Sequence, residues 1–329
     1  MQRSSSPILD DPVLLHDWHI VARSEDLGEN SLLPARVLEE DIVLWRSPDG
    51  LLAWQDLCLH RGSKLSLGRI ESNNLVCAYH GWTYDSHGAC VSIPAHPDQQ
   101  PPAKARVKIY GVKERYGLLW VCLGSPSSDI GAFPEWEDGS YRKIFCGPYH
   151  ANASGPRLVE NFLDVAHLPF VHEGLLGDRS HAQINDYEVN TDSMGITASN
   201  IRLWQPDPDG TGVGAPVVYT YKVFRPLTAY FTKESSAQGF SIFMSVTPVE
   251  QTKSTMWMII AMNYGRDVPE AQIRDFEDKV VSQDLRVVES QRPEMLPLDL
   301  QAELHLRSDR TAIAYRKWLG QLGLTFGTA

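Results

Sequence analysis

The sequence predicts an α+β protein with two domains, the first all-β and the second an antiparallel sheet closed by a helix. Its 329 residues suit two domains of about 150 residues each. Short apolar runs separated by turn residues fill positions 18–124, as in stacked hairpins. Residues 157–293 mix helical apolar spacing with longer β-rich runs. We expect domains of 1–150 and 151–329, divided soon after a turn-rich stretch at 124–140.

The elements of the first half are short strands joined by turns. Residues 42–45 and 51–54 are apolar and flank Asp49-Gly50, a dipeptide that favours a tight hairpin. A second cluster of turn residues, 85–88, separates strand-like residues 82–84 from 90–93. The loops between these strands are where chemistry is expected.

The elements of the second half are longer. Residues 157–170 have helical apolar spacing that Pro169 interrupts, and three β-rich runs follow, at 217–231, 240–249 and 256–264. A helix is predicted between Pro269 and Pro293. Its apolar stripe is expected to comprise Ile273, Phe276, Val280, Val287 and Val288.

Composition and charge narrow the class of protein. Lys and Arg number 30 against 41 Asp and Glu, a net charge of −11, which argues against nucleic-acid or anionic-membrane binding. We expect no secretory signal, because the first seven residues lack an apolar core, and no membrane span, because the longest apolar run covers only 256–262. Five Cys favour reduced thiols in a cytoplasmic protein over a disulfide framework.

Two short segments hold the most informative pattern, CLHRG at residues 58–62 and CAYHGW at residues 77–82. Each supplies one thiolate and one imidazole. This is the ligand set of a [2Fe–2S] cluster in which two His replace two Cys on one iron. Cys58 and Cys77 would bind one iron, and His60 and His80 the other.

A zinc site is the alternative for these four donors. Zinc fingers group a Cys pair before a His pair, however, so the alternating order fits zinc poorly and favours the cluster. The three remaining Cys are expected to be small core or surface residues: Cys90, Cys122 and Cys146.

The second half supplies candidates for a further metal ion. Asp164 and His167 are three residues apart, on one face if the segment is helical. Pro169 disturbs that helix, so His172 can turn toward the same point. Two His and one carboxylate bind Fe(II) in non-heme oxygenases and leave positions open for O₂ or water. Either His alone would more often be a core or capping residue, but here the pair follows an iron–sulfur pattern.

The third ligand is expected on the helix after Pro269. The acids available there are Asp275, Glu277, Asp278, Asp284 and Glu289. Steps of three and four from Phe276 place position 284 in the apolar stripe, where a carboxylate is costly unless paired or bound to metal. Asp284 is therefore the predicted ligand, and a surface acid on a misphased stripe is the alternative.

These motifs resemble those of the Rieske non-heme iron ring-hydroxylating oxygenases, catalytic α subunits, over nearly the whole chain. Leu59 and Ala78 stand where Pro is common in the family, and residues 161–172 match its N-x-x-D-x-x-H-x₄-H signature at every defined position. The resemblance implies a Rieske [2Fe–2S] domain followed by a helix-grip (START-like) catalytic domain.

The resemblance also implies residue roles. His167, His172 and Asp284 would bind one Fe(II), and Asn161 and Asp164 would act beside it. Asp164 would link His167 to a Rieske His of the neighbouring subunit in a homotrimer. Electrons would come from a separate NAD(P)H-dependent reductase of flavin or ferredoxin type, and O₂ would react with a small organic substrate.

The C-terminal part indicates a branch of the family. VVESQ at 287–291, SDR at 308–310 and YRKWL at 315–319 are most similar to the branch of N- and O-demethylases and saxitoxin-type hydroxylases. This implies monooxygenation of a C–H bond, with demethylation when the carbon is an N- or O-methyl group. The alternatives are a cis-dihydroxylating dioxygenase, a Rieske electron carrier without oxygenase activity and a zinc-stabilised binding module.

The sequence does not name the substrate. Aromatic residues between 201 and 262 suggest an apolar pocket, although each alone is more simply a core residue: they are Trp204, Tyr219, Tyr221, Phe231, Phe240, Phe243 and Trp257. Four charged residues could select a charged substrate but are expected on solvated strand faces: Arg202, Arg225, Lys233 and Glu234.

Overall fold

The chain forms two compact units, which divide between Asp129 and Ile130. The computed structural model describes residues 11–235 and 238–329, so the N-terminal segment for which no secretory signal is expected lies outside the described residues. The sequence places the division near residue 150. It falls earlier, inside the turn-rich stretch 124–140, because strand Arg142–Ala151 pairs with a strand of the second unit.

The first unit is all-β, as the sequence predicts, apart from a short helix, α1 (Pro12–Leu15). Its strands are β1 (His19–Arg23), β2 (Leu32–Val37), β3 (Glu40–Ser47), β4 (Gly50–Gln55), β5 (Arg69–Glu71), β6 (Asn74–Val76), β7 (Thr83–Tyr84), β8 (Cys90–Ser92), β9 (Ile109–Arg115) and β10 (Leu118–Cys122). They form a sheet of order β1-β10-β9-β4-β3-β2 and a smaller one of order β5-β6-β7-β8. All pairs are antiparallel.

The hairpin predicted at Asp49-Gly50 is confirmed, since Ser47 pairs with Gly50 at the end of β3 and β4. It brings Trp45 and Trp54 together in the core, edge to face with ring centroids 5.0 Å apart. Such aromatic pairs add packing energy beyond the burial of their area. The same core cluster includes the Cys of both predicted cluster segments, so the loops that carry them are fixed at their base.

The second unit is built on one seven-stranded antiparallel sheet. Its strands are β11 (Arg142–Ala151), β12 (Glu188–Asp192), β13 (Gly195–Gln205), β14 (Ala215–Arg225), β15 (Thr228–Ser235), β16 (Gln238–Glu250) and β17 (Lys253–Met262). The order is β11-β17-β16-β15-β14-β13-β12. The prediction of one run over 217–231 is wrong, because a turn at Pro226-Leu227 divides it into β14 and β15.

The described part of the second unit contains four α-helices: α2 (Gly155–Leu163), α3 (Leu168–Val171), α4 (Glu270–Val288) and α5 (Arg310–Leu322). The predicted apolar stripe of α4 is only partly right. Val280 and Val288 are buried as predicted, but Phe276 and Val287 are each 42% exposed. The buried face also carries Glu277 and Val281. Among the helices of the described ranges, none has the length and apolar character needed to cross a bilayer.

Candidate metal centres

The two predicted cluster loops share one backbone design. The Gly62 N–H donates to the Cys58 carbonyl (2.9 Å), and the Gly81 N–H donates to the Cys77 carbonyl (3.0 Å). Both glycines have a positive φ, 74° and 70°, which residues with a Cβ rarely adopt. Each loop therefore turns tightly, with its Cys buried and its His on the outer side.

The four predicted cluster ligands lie as two pairs. His60 Nδ1 is 3.1 Å from His80 Nδ1, and the thiols of Cys58 and Cys77 interact directly in the core. Burial raises the pKa of the Cys58 thiol, and the adjacent Cys77 raises it further. A cation is needed to hold two such thiolates side by side. Two buried sulfurs and two outer imidazoles fit a [2Fe–2S] cluster with mixed ligands.

Two aromatic residues for which the sequence predicts no role support this centre. The Tyr84 hydroxyl lies 3.3 Å from Cys58 Sγ. Burial, followed by the contact with Cys58, raises the pKa of Tyr84 far above its usual range, so the hydroxyl keeps its proton and can donate to a thiolate. Trp82 stacks on His60 with the planes 4° apart. Their only sequence signal is that they follow His80 closely.

The second predicted centre begins where α2 ends. The premise that Asp164 and His167 share a helical face is wrong, because α2 stops at Leu163 and Asp164 is extended. Asp164 Oδ1 instead accepts the Ala166 N–H (2.7 Å), which turns the chain into α3. His167 precedes α3 and His172 follows it, with Pro169 in its first turn. Local turns, rather than helical spacing, thus bring the two His together.

The structure brings the three predicted ligands of this centre to one point. Asp284 Oδ1 lies 3.3 Å from His167 Nε2 and 3.0 Å from His172 Nε2. One ligand atom from each residue lies within 4.8 Å of the other two. Asp284 extends from the buried face of α4, two turns after Glu277. Two imidazoles and one carboxylate that converge in this way fit a divalent cation with open positions.

Electrostatics at this centre reflect that convergence. Burial alone would raise the pKa of Asp284, but hydrogen bonds from the two His hold it below its ordinary value. Burial would likewise lower the pKa of His167, and its contacts with Asp164 and Asp284 outweigh that effect and raise it to about 9. The carboxylate and the two imidazoles therefore interact strongly with one another.

Three further side chains surround the ligands. Asn161 Nδ2 donates to Asp284 Oδ1 at 3.5 Å, and Asp164 Oδ2 lies 3.4 Å from His167 Nδ1. Gln283 Oε1 is 2.8 Å from His172 Nδ1. The sequence predicts that Asn161 and Asp164 act here, whereas it gives no role to Gln283.

Comparison with known families also divides the chain into two domains. The Rieske [2Fe-2S] domain matches residues 17–110, and the vanillate O-demethylase oxygenase C-terminal domain matches residues 151–325, more than half of the chain. The chain belongs to the Rieske non-heme iron oxygenases.

Individual relatives of this Rieske oxygenase are demethylases. It is 34% identical to the methylxanthine N1-demethylase NdmA of Pseudomonas putida over 94% of this chain and 89% of the relative. It is 31% identical to the oxygenase component of dicamba O-demethylase of Stenotrophomonas maltophilia over 71% and 70% of the two chains. The solved structure of NdmA with caffeine superposes with a TM-score of 0.83 at 32% identity, covering 94% of this chain and 90% of that one.

The expected family, fold class, cofactors and enzyme class are therefore confirmed. The Rieske oxygenase carries a [2Fe–2S] cluster and a mononuclear iron. It is the terminal oxygenase component of a multicomponent monooxygenase system and receives its electrons from a separate reductase. A Rieske electron carrier or a zinc-stabilised module would not require the second matching domain.

Proposed function

We propose that this Rieske oxygenase oxidatively removes a methyl group from nitrogen or oxygen of a small aromatic substrate. The observation that carries the proposal is the match to a methylxanthine N1-demethylase over nearly the full length of both chains. Hydroxylation of an N- or O-methyl group gives a product that collapses to formaldehyde and the demethylated compound.

The pair of Cys thiols and the pair of His imidazoles support an assignment of the cluster ligands. Cys58 and Cys77 would hold the buried iron, and His60 and His80 would hold the outer one. Imidazole ligands raise the reduction potential relative to an all-Cys cluster, which suits an acceptor of electrons from a reductase. The part-exposed His pair also lies where a partner can approach.

The mononuclear site would be His167, His172 and Asp284. When bound there, Fe(II) supplies the centre at which O₂ is activated. Gln283 accepts a hydrogen bond from His172 Nδ1 and so directs the lone pair of Nε2 toward the site. Asn161 donates to Asp284 and limits the directions its carboxylate can take. Asp164 contacts His167 Nδ1 in the same way, so both residues would position the ligands.

The partner proposal is a homotrimer in which Asp164 faces the Rieske domain of a neighbouring subunit. The Asp164 side chain is 38% exposed while it contacts His167. Both residues line a surface cavity of about 240 Å³. Leu304, which lines the same cavity, is 97% exposed, a large apolar exposure that a second copy of the chain would cover.

The first test is metal content and product identity. Protein purified anaerobically should contain three irons and two acid-labile sulfides per chain. With a surrogate reductase and NADH it should release formaldehyde from N-methylated or O-methylated aromatic compounds. Release of a hydroxylated product without formaldehyde would identify a hydroxylase instead, and a cis-diol product would identify a dioxygenase.

Matched variants test the residue roles. Cys77→Ser should lose two irons and the sulfide, whereas Cys122→Ser, which alters an equally buried thiol, should retain them. His167→Ala should lose only the mononuclear iron, and His181→Ala should lose none. Retention of all three irons in His167→Ala would contradict the ligand assignment.

The trimer is tested separately, by light scattering on the purified protein. A mass of three chains is expected for the wild type and for Asp164→Asn. Cluster reduction by the reductase should persist in Asp164→Asn, while formaldehyde release falls. A monomer with full turnover would contradict the proposed transfer between subunits.

A further inference from the structure

A lysine is buried on the inner face of the catalytic sheet. Lys233, on β15, is 8% exposed, contrary to the expectation of a solvated strand face. Its Nζ donates to Gln205 Oε1 (3.3 Å) and to the Pro208 carbonyl (2.8 Å). It also lies 4.8 Å from the centroid of the Phe240 ring.

The surroundings of Lys233 are aromatic and lead to the metal centre. Tyr219 on β14 and Phe240 on β16 are its register partners. Phe231 lies two residues earlier on the same face, and its ring contacts both of theirs. Phe162 of α2 packs its ring against Phe231, directly before the segment that carries Asp164 and His167. The aromatic face therefore continues from Lys233 to the proposed iron ligands.

A buried acid also acts on Lys233 through its charge. Glu277, on the face of α4 that also carries Asp284, is 6% exposed. Within the described residues its carboxyl has no hydrogen-bond or ion-pair partner, but the charges of Asp284, His172 and Lys233 act on it. Asp284 follows Glu277 by seven positions, which is about 10 Å along the helix axis.

The charge on Lys233 is not neutralised by a directly bonded acid among the described residues. Both of its acceptors are uncharged, and in the described part of the chain no carboxylate lies within ion-pair distance of Nζ. A buried ammonium is costly unless paired, and it has three N–H donors for two acceptors. An apolar wall with a few converging polar groups is the usual composition of a ligand site.

We propose that Lys233 is a specificity-determining residue whose ammonium binds an acceptor oxygen on a planar aromatic substrate. The reacting methyl group would then point toward His167, His172 and Asp284. A carboxylate and a ring carbonyl both supply such an oxygen, whereas an aromatic hydrocarbon does not. The inference rests on the proposed demethylase function and names the class of its substrate.

The test compares three probes on the anaerobic holoenzyme by isothermal titration calorimetry. 4-Methoxybenzoate carries a carboxylate, caffeine carries ring carbonyls and 1,4-dimethoxybenzene carries only ether oxygens. Lys233→Met should weaken binding of the acceptor-bearing probe about 10- to 100-fold, the usual range for a hydrogen bond to a charged group. Lys222→Met, which alters an exposed lysine on β14, should bind it within twofold of wild type.

A second variant distinguishes a carboxylate oxygen from a ring-carbonyl oxygen. It also provides a test if Lys233→Met does not fold. Lys233→Gln keeps an N–H donor without the charge, so a carboxylate probe should lose most of its affinity and a ring-carbonyl probe should keep most of it. Folding is checked by thermal unfolding and iron content.

Three results would overturn the inference. In the first, a folded Lys233→Met protein binds the acceptor-bearing probe within threefold of wild type. In the second, the wild-type protein binds 1,4-dimethoxybenzene but neither of the other probes. In the third, the wild-type protein binds none of the probes. Formaldehyde release is measured in parallel. If binding depends on Lys233 but no formaldehyde is released, the result would contradict the proposed demethylase function and still support the role of Lys233.

Discussion

His172 Nδ1 lies 2.8 Å from Oε1 of Gln283, while Nε2 of the same ring faces Asp284 at 3.0 Å. An amide oxygen only accepts hydrogen bonds, so Nδ1 of His172 donates to Gln283 and Nε2 is the nitrogen that is available to a metal. Consecutive residues of α4 thus hold the two sides of one imidazole. Gln283 determines which nitrogen can bind a metal, and Asp284 meets that nitrogen at the site.

Gln283→Leu is predicted to weaken metal binding at the mononuclear site. Loss of an outer hydrogen bond to a ligating His typically costs 10- to 100-fold in affinity. The measurement is chelator competition for Co(II) bound to the apoprotein. Gln272→Leu, at an exposed position of α4, is the control and should not change the affinity. Equal affinities in both variants would show that His172 is oriented by its packing alone.

Tyr84→Phe is predicted to lower the reduction potential of the cluster. Donation from the Tyr84 hydroxyl to Cys58 Sγ stabilises the more negative, reduced state. A hydrogen bond of about 1 kcal/mol corresponds to roughly 45 mV for one electron. Spectroelectrochemistry of the variant measures the shift. Tyr110→Phe removes a buried hydroxyl that donates to Glu40 instead and should leave the potential unchanged.

The cluster loops could be predicted from sequence because their chemistry is local. Each loop contains one Cys, one His and a Gly within five residues, so spacing alone limits the possible metals. The His167 and His172 pair was found from the same local signal, although the helix assumed between Asp164 and His167 is absent. Short segments keep such residues close in several backbone conformations.

Contacts distant in sequence could not be predicted in this way. Asp284 lies on the side of α4 that faces the two His, but Phe276 and Val287 were assigned to the same stripe and are exposed. The burial of Lys233 depends on strands β13 to β16 and on helices far along the chain. No property of residue 233 itself distinguishes it from Glu234, which is exposed as expected.

Arg316→Met is predicted to destabilise the catalytic unit by about 3–5 kcal/mol. Arg316 is buried and forms two hydrogen bonds with Glu160, the residue before Asn161, so its loss leaves a nearly buried carboxylate without its main partner. Urea unfolding followed by tryptophan fluorescence measures the change. Arg292→Met removes an exposed ion pair and should cost under about 1 kcal/mol. Similar losses in both variants would contradict the buried-network argument.

Binding of a carboxylate probe is predicted to weaken as pH rises through about 8. Burial lowers the pKa of Lys233 from 10.5 to about 8, so the ammonium loses its charge above that pH while 4-methoxybenzoate stays ionised. A bound anion favours the ammonium and shifts the midpoint upward. Calorimetric titrations between pH 6 and 10 should show a fall near pH 8 in the wild type that Lys233→Met lacks.

The other charged groups near Lys233 set the shape of that pH profile. Asp207 and Asp209, which follow β13, and Glu277 on α4 all favour the ammonium. Burial, followed by the charge of Asp284, raises the pKa of Glu277 to about 7, so its ionisation also weakens anion binding as pH rises. Glu277→Gln should remove the part of the fall near pH 7 and keep the part near pH 8. A flat profile in Glu277→Gln would assign the whole effect to the acid and none to Lys233.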